Sequence, residues 1–400
     1  MSSFVGPAIV NDSVVFSYDI NNSQKSWQGA PTTNLLGNPF CANNTGPINT
    51  FFSGYESSAT IVSAFNSEME RISPNWIKYV KNSATNGRIW FLGVSGLNTT
   101  TDYTYSVYVY TNDSNVTGFT LGSDNGAVSN TTNVLSSWSS ADRNRVKRIA
   151  AVFRSLNGNQ VQGCRINNSD PIGTTFYMSA FQCEQSSIAT PVINGSRSNT
   201  QSIIDLTGNT IITANNLSYS SDGSFSFNGT SSVLSTPTLP YQFLNTGFTI
   251  SIGFRYTQTT TNDNLISWGN NAFNAGLSYS WEIRLRGAGN VEFSPGVYSS
   301  GTSPTRTSYS QSPAFNGRDV ILDVVYTANG PAYIYENGQL KASNDYTGVG
   351  LFTNTQSLKI GQGTDTYFPG RIYFTKIYNR PLSNSEIQQN FNAIRSRFGI

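Results

Sequence analysis

Histidine is absent from the 400 residues, charged residues make up only 12%, and cysteine occurs three times. Without histidine, Ser-His and Cys-His triads, histidine metal sites and histidine general acid–base chemistry are excluded, which removes most hydrolase readings. A net charge of +2 with no block of one sign gives no basic face for nucleic acid and no charged disordered arm. Cys41, Cys164 and Cys183 cannot all pair among themselves, and none stands in the CxxC or CxxH spacing of a zinc site. Three buried free thiols are expected, with Cys164–Cys183 left open as the one internal pair. No apolar run approaches membrane-spanning length, so membrane insertion is not expected. Met1 leads into SSFVGPAIVND, which has neither the charged nor the apolar part of a signal peptide.

What is present is Asn, Ser, Thr, Gly and Tyr, with aromatics at 13%. Such a mixture favours short strands joined by turns, under a surface wet by hydroxyls and amides. It is common in extracellular β proteins and in virus appendages. The length suits two domains, each large enough for its own core. A surface-type composition without an export signal predicts assembly in a cytoplasm and release by lysis, as for a phage virion.

The segment from Ala332 to Phe398 is the most specific. In AYIYENGQLKA, Asn337-Gly338 stands between two apolar runs and supplies the positive φ angles of a type I′ hairpin. SLKIGQG and YFPGRIYFTKIYNRPLSNSEIQQNFNAIRSRF follow. In the latter, Ser383 and Glu386 form a capping box, Leu382 can staple onto Ile387, and Gly399 closes what is expected to be the only convincing helix. This order of hairpin, "L-x-IG" strand, "F-x-G-x-I" strand and "IYNRxLSxxEI" helix resembles the concanavalin A-like jelly roll of laminin-G type domains. SFSFNGTSSVLSTP and FTISIGFRY, opening at Ser224 and Phe248, look like its first strands. The resemblance spans roughly the C-terminal half and implies an antiparallel sandwich; the fold serves lectins, glycosidases and adhesion modules alike.

Upstream, VVFSYDI alternates with Val14, Phe16, Tyr18 and Ile20 on one face, which predicts a first strand. The lead 1–33 reads as an attachment or swap segment, or as one more strand of a sandwich; its YDxxNxxS…PTTNLL phrase resembles openings of tailed-phage structural proteins. From 34 to 198, NWIKYVKN, RIWFLGV, DYTYSVYVYT, VKRIAAVF and TFYMSAFQCE read as strands, with Tyr103, Tyr105, Val107 and Val109 on one face. This stretch, ending in FQCEQSSIATPVI, resembles the carbohydrate-binding-module type of jelly roll in phage fibre and minor tail proteins. There the last strand reads "Q-x-E-x-G-x-x-A-T-P-x-I"; Ser186 and Ser187 fall where Gly is usual. A polar boundary lies near Ser196 to Gln201, and a new strand set is expected from SIIDLTG onward, giving a second sandwich over 199–400. The fold class is therefore all-β: two antiparallel β-sandwich domains with one short C-terminal helix.

Catalytic groups are sparse. A retaining glycosidase on this fold would need paired carboxylates about 5–5.5 Å apart, and the E-x-D-x-x-E motif of the fold's glycosidases is missing. Glu68 and Glu70 are spaced to share a strand face, though an exposed loop or edge is the better reading. Glu282 and Glu292 could meet across neighbouring strands, and Glu282 could instead pair with Arg284 or Arg286. No catalytic residue is assigned. For sugar binding, Trp268, Tyr279, Trp281 and Tyr298 supply aromatic faces beside Asn270, Asn271 and Arg284; the competing and favoured reading of Trp268 and Trp281 is sandwich core. No cofactor is expected, but the laminin-G resemblance implies that calcium stays open, with Asp263, Asp345 and Asp365 as loop candidates. NNAFNAGLSYS and YSSGTSPTRTSYSQSPAFNG read as long polar loops.

The expected function is that of a non-enzymatic tailed-phage virion protein: a head or tail fibre, decoration or baseplate-associated component. Its expected partners are other virion proteins, copies of itself, with a trimer favoured, and a host cell-surface glycan. The alternatives are a polysaccharide depolymerase working through Glu282 and Glu292, and a secreted lectin-like adhesin.

Overall fold

The computed structural model describes residues 8–400 apart from 23–24, 37–38, 42–56, 83–87, 124–127, 130–133, 157, 220–224, 239–245, 258–261, 270–278, 288, 296–306, 311–314, 316, 348–356 and 364–365. The chain forms two compact units: residues 1–30 with 199–400, and residues 31–198. The second is thus an insertion in the chain of the first. Both are antiparallel β-sandwiches.

In the C-terminal unit, eight strands among the described residues form one sheet. Phe248–Tyr256 lies at its centre between Pro369–Tyr378 and Asp319–Tyr326, and the hairpin Pro331–Glu336/Gln339–Asp345 continues it. The opposing seven-stranded sheet runs through Ser357–Ile360, Asn262–Gly269, Tyr279–Arg286 and Asn290–Pro295 to Thr307–Ser310. Alternation puts Ile250, Ile252 and Phe254 from one sheet against Ile266, Trp281, Ile283, Leu285 and Phe293 from the other in one buried core. Asn337 and Gly338 carry φ of 49° and 75°, so the turn is the one that Asn-Gly favours. Gly370, at φ 143°, would drive a Cβ into the Arg255 carbonyl, so only glycine fits there.

The lead is not a separate segment. Val14–Asp19 pairs with Phe374–Tyr378 along the same strand edge that Phe225–Asn228 takes at Pro369 and Gly370. A register shift between Val14 and Phe16 breaks the expected alternation: Val15, Phe16, Tyr18 and Ile20 enter the core, while Val14 packs on the opposite side. Nor does SIIDLTG open as a strand. Only bridges form, Trp27 with Ile203 and Ile204 with Ile211, because Asp205 gathers the amides of Ser17, Thr207, Asn209 and Thr210 into a tight loop. Thr307–Ser310, expected in a loop, is an edge strand; NNAFNAGLSY up to residue 278 lies outside the described residues.

The helix Asn384–Ile394 starts at the capping box, with Ser383 N–H donating to Glu386 Oε2 at 2.8 Å and Glu386 N–H to Ser383 Oγ at 3.3 Å. Arg380 holds the Glu386 carboxyl down near pH 2, with Ser383 helping. Leu382 and Ile387 pack on Val325, Tyr335 and Tyr378, completing the staple, and a 3₁₀ turn Arg395–Phe398 runs to Gly399 at φ 67°. The N-terminal residues are laced into this helix: Val10 N–H donates to Asn390 Oδ1, and Tyr378 Oη–H to the Val10 carbonyl. Beneath lies a cross-strand row, Ser17–Lys376–Ser251–Asp323–Tyr335. Asp323 is fully buried in it, with no hydrogen bond of ordinary geometry to its carboxyl among the described residues; burial raises its pKa to about 7, the Ser251 hydroxyl opposing.

In the inserted unit, a six-stranded sheet with Thr175–Glu184 and Tyr103–Tyr110 at its centre faces a four-stranded sheet of Arg88–Ser95, Asn159–Ile166, Gly118–Ser123 and Val134–Ser137, again among the described residues. Tyr103, Tyr105, Val107 and Val109 all enter its core. So do Cys41, Cys164 and Cys183, which are free; burial pushes Cys41 and Cys183 up to about 12 and raises Cys164 as well. Glu68 and Glu70 belong to a one-turn helix, Ser67–Glu70, capped by Asn66. The strand-face spacing misses it because a single capped turn needs only the Asn66 side chain and Met69 as its buried anchor. Among the described residues no helix is long and apolar enough to cross a membrane.

Candidate functional site

Of the residues that sequence reasoning marked, the outer face of the seven-stranded sheet holds Glu282, Arg284, Arg286 and Glu292. Along Tyr279–Arg286, Trp281, Ile283 and Leu285 point to the core, so Glu282, Arg284 and Arg286 point away from it. The register sets Arg284 opposite Glu292. Arg284 Nε donates to Glu292 Oε2 at 2.9 Å, and its Nη1 lies 3.5 Å from Glu282 Oε1. Arg286 Nη1 reaches Glu292 Oε1 at 3.1 Å. Asn264 closes the far side, donating to Glu282 Oε2 at 3.0 Å while accepting from Thr366. Glu282 and Glu292 do therefore meet, but through Arg284. The Glu282 side chain is 1% exposed and Glu292 11%, and the two guanidinium charges balance the two carboxylates. A glycosidase would need one carboxyl to give a proton and the other to reach the anomeric carbon; both are engaged here.

Trp268 and Trp281 lie opposite each other on neighbouring strands, with ring centroids 6.3 Å apart. Trp281 also packs on Phe248 at 5.4 Å. Both indoles are inside the sandwich, in the core place favoured for them over sugar stacking, where each shares the apolar face of its strand. Arg284 stands on the opposite face. Tyr279 belongs to the strand, while its side chain, Asn270, Asn271 and Tyr298 lie outside the described residues. Of the calcium candidates, Asp263 accepts from the Tyr256 hydroxyl in a buried contact and Asp345 holds a local turn at Thr347; Asp365 lies outside the described residues. Among the described residues no three acidic or cysteine side chains converge on a common point.

The inserted unit contains an open cleft of about 530 Å³. One wall is a two-stranded ribbon, Thr32–Thr33 with Ser196–Arg197, continued by Leu35. Across from it runs the turn Ser95–Leu97, where Gly96 at φ 74° meets nothing within 4 Å of a would-be Cβ. Tyr103 and Gln185 supply the rest. The phrases PTTN and GSR, far apart in sequence, come together here; nothing in either alone announces a cleft.

Behind the ribbon, the FQCEQSSIATPVI phrase acts as a latch. The Glu184 carboxylate accepts from Gln182 Nε2, Thr190 N–H and Thr190 Oγ1, and Gln182 Oε1 accepts from Ile193 N–H. Arg197 donates to the Pro191 carbonyl at 2.8 Å and to Thr190 Oγ1 at 3.3 Å. Burial lowers the Arg197 pKa, Glu184 opposes that, and Arg148 adds to it. Asn34 ties the two ends of the unit, donating to the Phe181 and Ile193 carbonyls and accepting from Leu36 and Cys183 N–H. Asn34→Ala should lower the stability of this unit by about 2 kcal/mol, since it removes four hydrogen bonds to the backbone, three of them buried; urea denaturation checks this, and a change within about 0.5 kcal/mol would contradict it.

Residues 227–388 match the family described as the concanavalin A-like lectin/glucanases superfamily. Among solved structures, the receptor binding domain of botulinum neurotoxin C/D mosaic serotype is similar at 14% identity, covering 49% of this chain and 50% of that one, with a TM-score of 0.39. The binding domain of botulinum neurotoxin DC is similar in complex with SialylT and in complex with rat synaptotagmin II, each at 15% identity, 49% and 50% coverage and a TM-score of 0.40. The chain thus spans about half the length of these structures. No curated protein matches the chain.

Proposed function

We propose that this chain is a non-enzymatic structural protein of a tailed-phage virion, a fibre, decoration or baseplate-associated component, that adheres to glycans of the host surface. The observation that carries adhesion over hydrolysis is the engagement of Glu282 and Glu292 by Arg284, which takes the one carboxylate pair that the sequence offered on this unit out of acid–base work. The virion assignment is supported by the sequence: phage-like PTTNLL and QCEQSSIATPVI phrases and a histidine-free, weakly charged, hydroxyl-rich composition. On this reading the chain assembles in the host cytoplasm as a homotrimer and joins other virion proteins. Mass spectrometry of purified virions should find it, sedimentation should give a trimer, and a glycan array should show binding without release of reducing ends. A monomer that is absent from virions would sink the structural role; saccharide release abolished by Glu282→Gln would establish the depolymerase instead.

A further inference from the structure

We propose that Phe65, on the outer face of the six-stranded sheet of the inserted unit, is the stacking platform for a pyranose ring, a proposal that rests on the adhesion reading and gives it a site and a mode of binding. The outer side of an antiparallel sheet is ordinarily polar. Here Tyr103, Tyr105, Val107 and Val109 turn to the core, so Tyr108 and Tyr110 turn out, and Tyr177 stands opposite Tyr110 on the neighbouring strand. With Met69 and Trp76 they form a second, smaller apolar cluster. Phe65 lies across it, its ring centroid 5.1 Å from that of Tyr177 and 5.7 Å from that of Tyr110, at interplanar angles of 67° and 79°. The Phe65 side chain is 51% exposed, while the rest of the cluster is buried or half-buried. Two tyrosines fix the ring, and so does the backbone: Ala64 N–H donates to the Pro74 carbonyl, and Asn66 caps the turn that follows. A ring held in place before the ligand arrives loses little entropy on binding.

The surroundings identify the occupant. One exposed ring is the footprint of one sugar, whose axial C–H groups suit the electron-rich face of an aromatic. A protein partner needs roughly 20–30 residues a side, and the other apolar groups of this cluster are already packed against one another. Amide and hydroxyl groups stand at the edge of the ring, as sugar hydroxyls require. Tyr110 Oη–H donates to Asn144 Oδ1 at 3.1 Å, which orients an exposed amide whose Nδ2 makes no hydrogen bond among the described residues. The Tyr177 hydroxyl likewise has no hydrogen-bond partner among the described residues. Lys78, opposite Tyr177 in the register, adds a further donor to the rim, and Glu68 and Arg71 of the capped turn face each other at 3.6 Å.

The test uses the full chain and three neutral probes, lactose, maltotriose and triacetylchitotriose, titrated by calorimetry. At least one should bind. Phe65→Leu keeps an apolar side chain against the tyrosines but has no flat face; it should weaken that probe about 10-fold with Tm within about 2 °C of the parent. Phe65→Tyr should retain binding. Asn144→Gly accepts the φ of 62° but removes the amide, and should weaken the probe as well. Gln185→Ala, in the cleft described above, should change nothing. Undiminished binding in Phe65→Leu, loss of binding in Gln185→Ala, or no binding of any probe would overturn the proposal. So would a change in sedimentation caused by Phe65→Leu, which would make the ring part of an interface between copies of the chain. Adhesion itself survives each of those results if glycans on the array still bind, and falls if every glycan is silent.

Discussion

Arg284→Met should destabilise the concanavalin A-like unit by about 3–5 kcal/mol, the cost expected when one partner is removed from a buried charge cluster. Its guanidinium bridges both carboxylates, 2.9 Å from Glu292 and 3.5 Å from Glu282. Without it two buried carboxylates, Glu282 with its Asn264 amide bond and Glu292, lose the charge that bridges them. Arg286 is 43% exposed and reaches Glu292 at 3.1 Å, so it offsets part of one charge. Restoring neutrality should restore the fold: the triple variant Arg284→Met, Glu282→Gln, Glu292→Gln should recover most of the loss, because a buried ion cluster is often no more stable than a neutral isostere. Denaturant midpoints for the single and triple variants decide the matter. A single variant within about 1 kcal/mol of the parent would mean that the face is open to water and the cluster is a surface one.

Much of the fold was legible because its signals are local. Asn337-Gly338, Ser383 with Glu386, and Leu382 with Ile387 each act within one turn, and each forms as the sequence implies. The strands of the inserted unit declared themselves through period-2 alternation, as in Tyr103 to Val109. What escaped was nonlocal. Val14–Asp19 finds its partner more than three hundred residues later, at Phe374–Tyr378, and no pattern in VVFSYDI names that edge. Trp268 and Trp281 were weighed as sugar platforms on their chemistry, while their place on the Ile283–Leu285 face pointed to the core. The cleft was invisible for the same reason as the strand pairing: Thr32, Ser95, Tyr103, Gln185 and Arg197 share no motif, and only the closing of the ribbon brings them together.

Asp323→Asn should stabilise the C-terminal unit at alkaline pH and do little in acid. The carboxyl sits between Ser251 and Tyr335 in a row that also holds Lys376, under a helix that contributes Asn390 hydrogen-bonded to Tyr378. The other charges facing this layer are Asp19 and Arg397, which pair with each other at 2.7 Å. Burial has raised the folded-state pKa from 3.8 to about 7, so below about pH 4 the group is protonated folded or unfolded and exacts no charge penalty. As pH rises towards 7 the unfolded chain releases its proton first, and stability falls. Above the folded pKa both states are ionised and the full penalty is present. That rise corresponds to roughly 4 kcal/mol, at about 1.36 kcal/mol per pH unit, or on the order of 10 °C in Tm for a unit of this size. The amide in the Asp323→Asn variant carries no charge at any pH, so the variant should gain that amount at pH 8 and match the parent near pH 4. Thermal unfolding of both proteins across that range tests it. Parallel stability curves would show that water reaches Asp323, and that the helix does not seal the row beneath it.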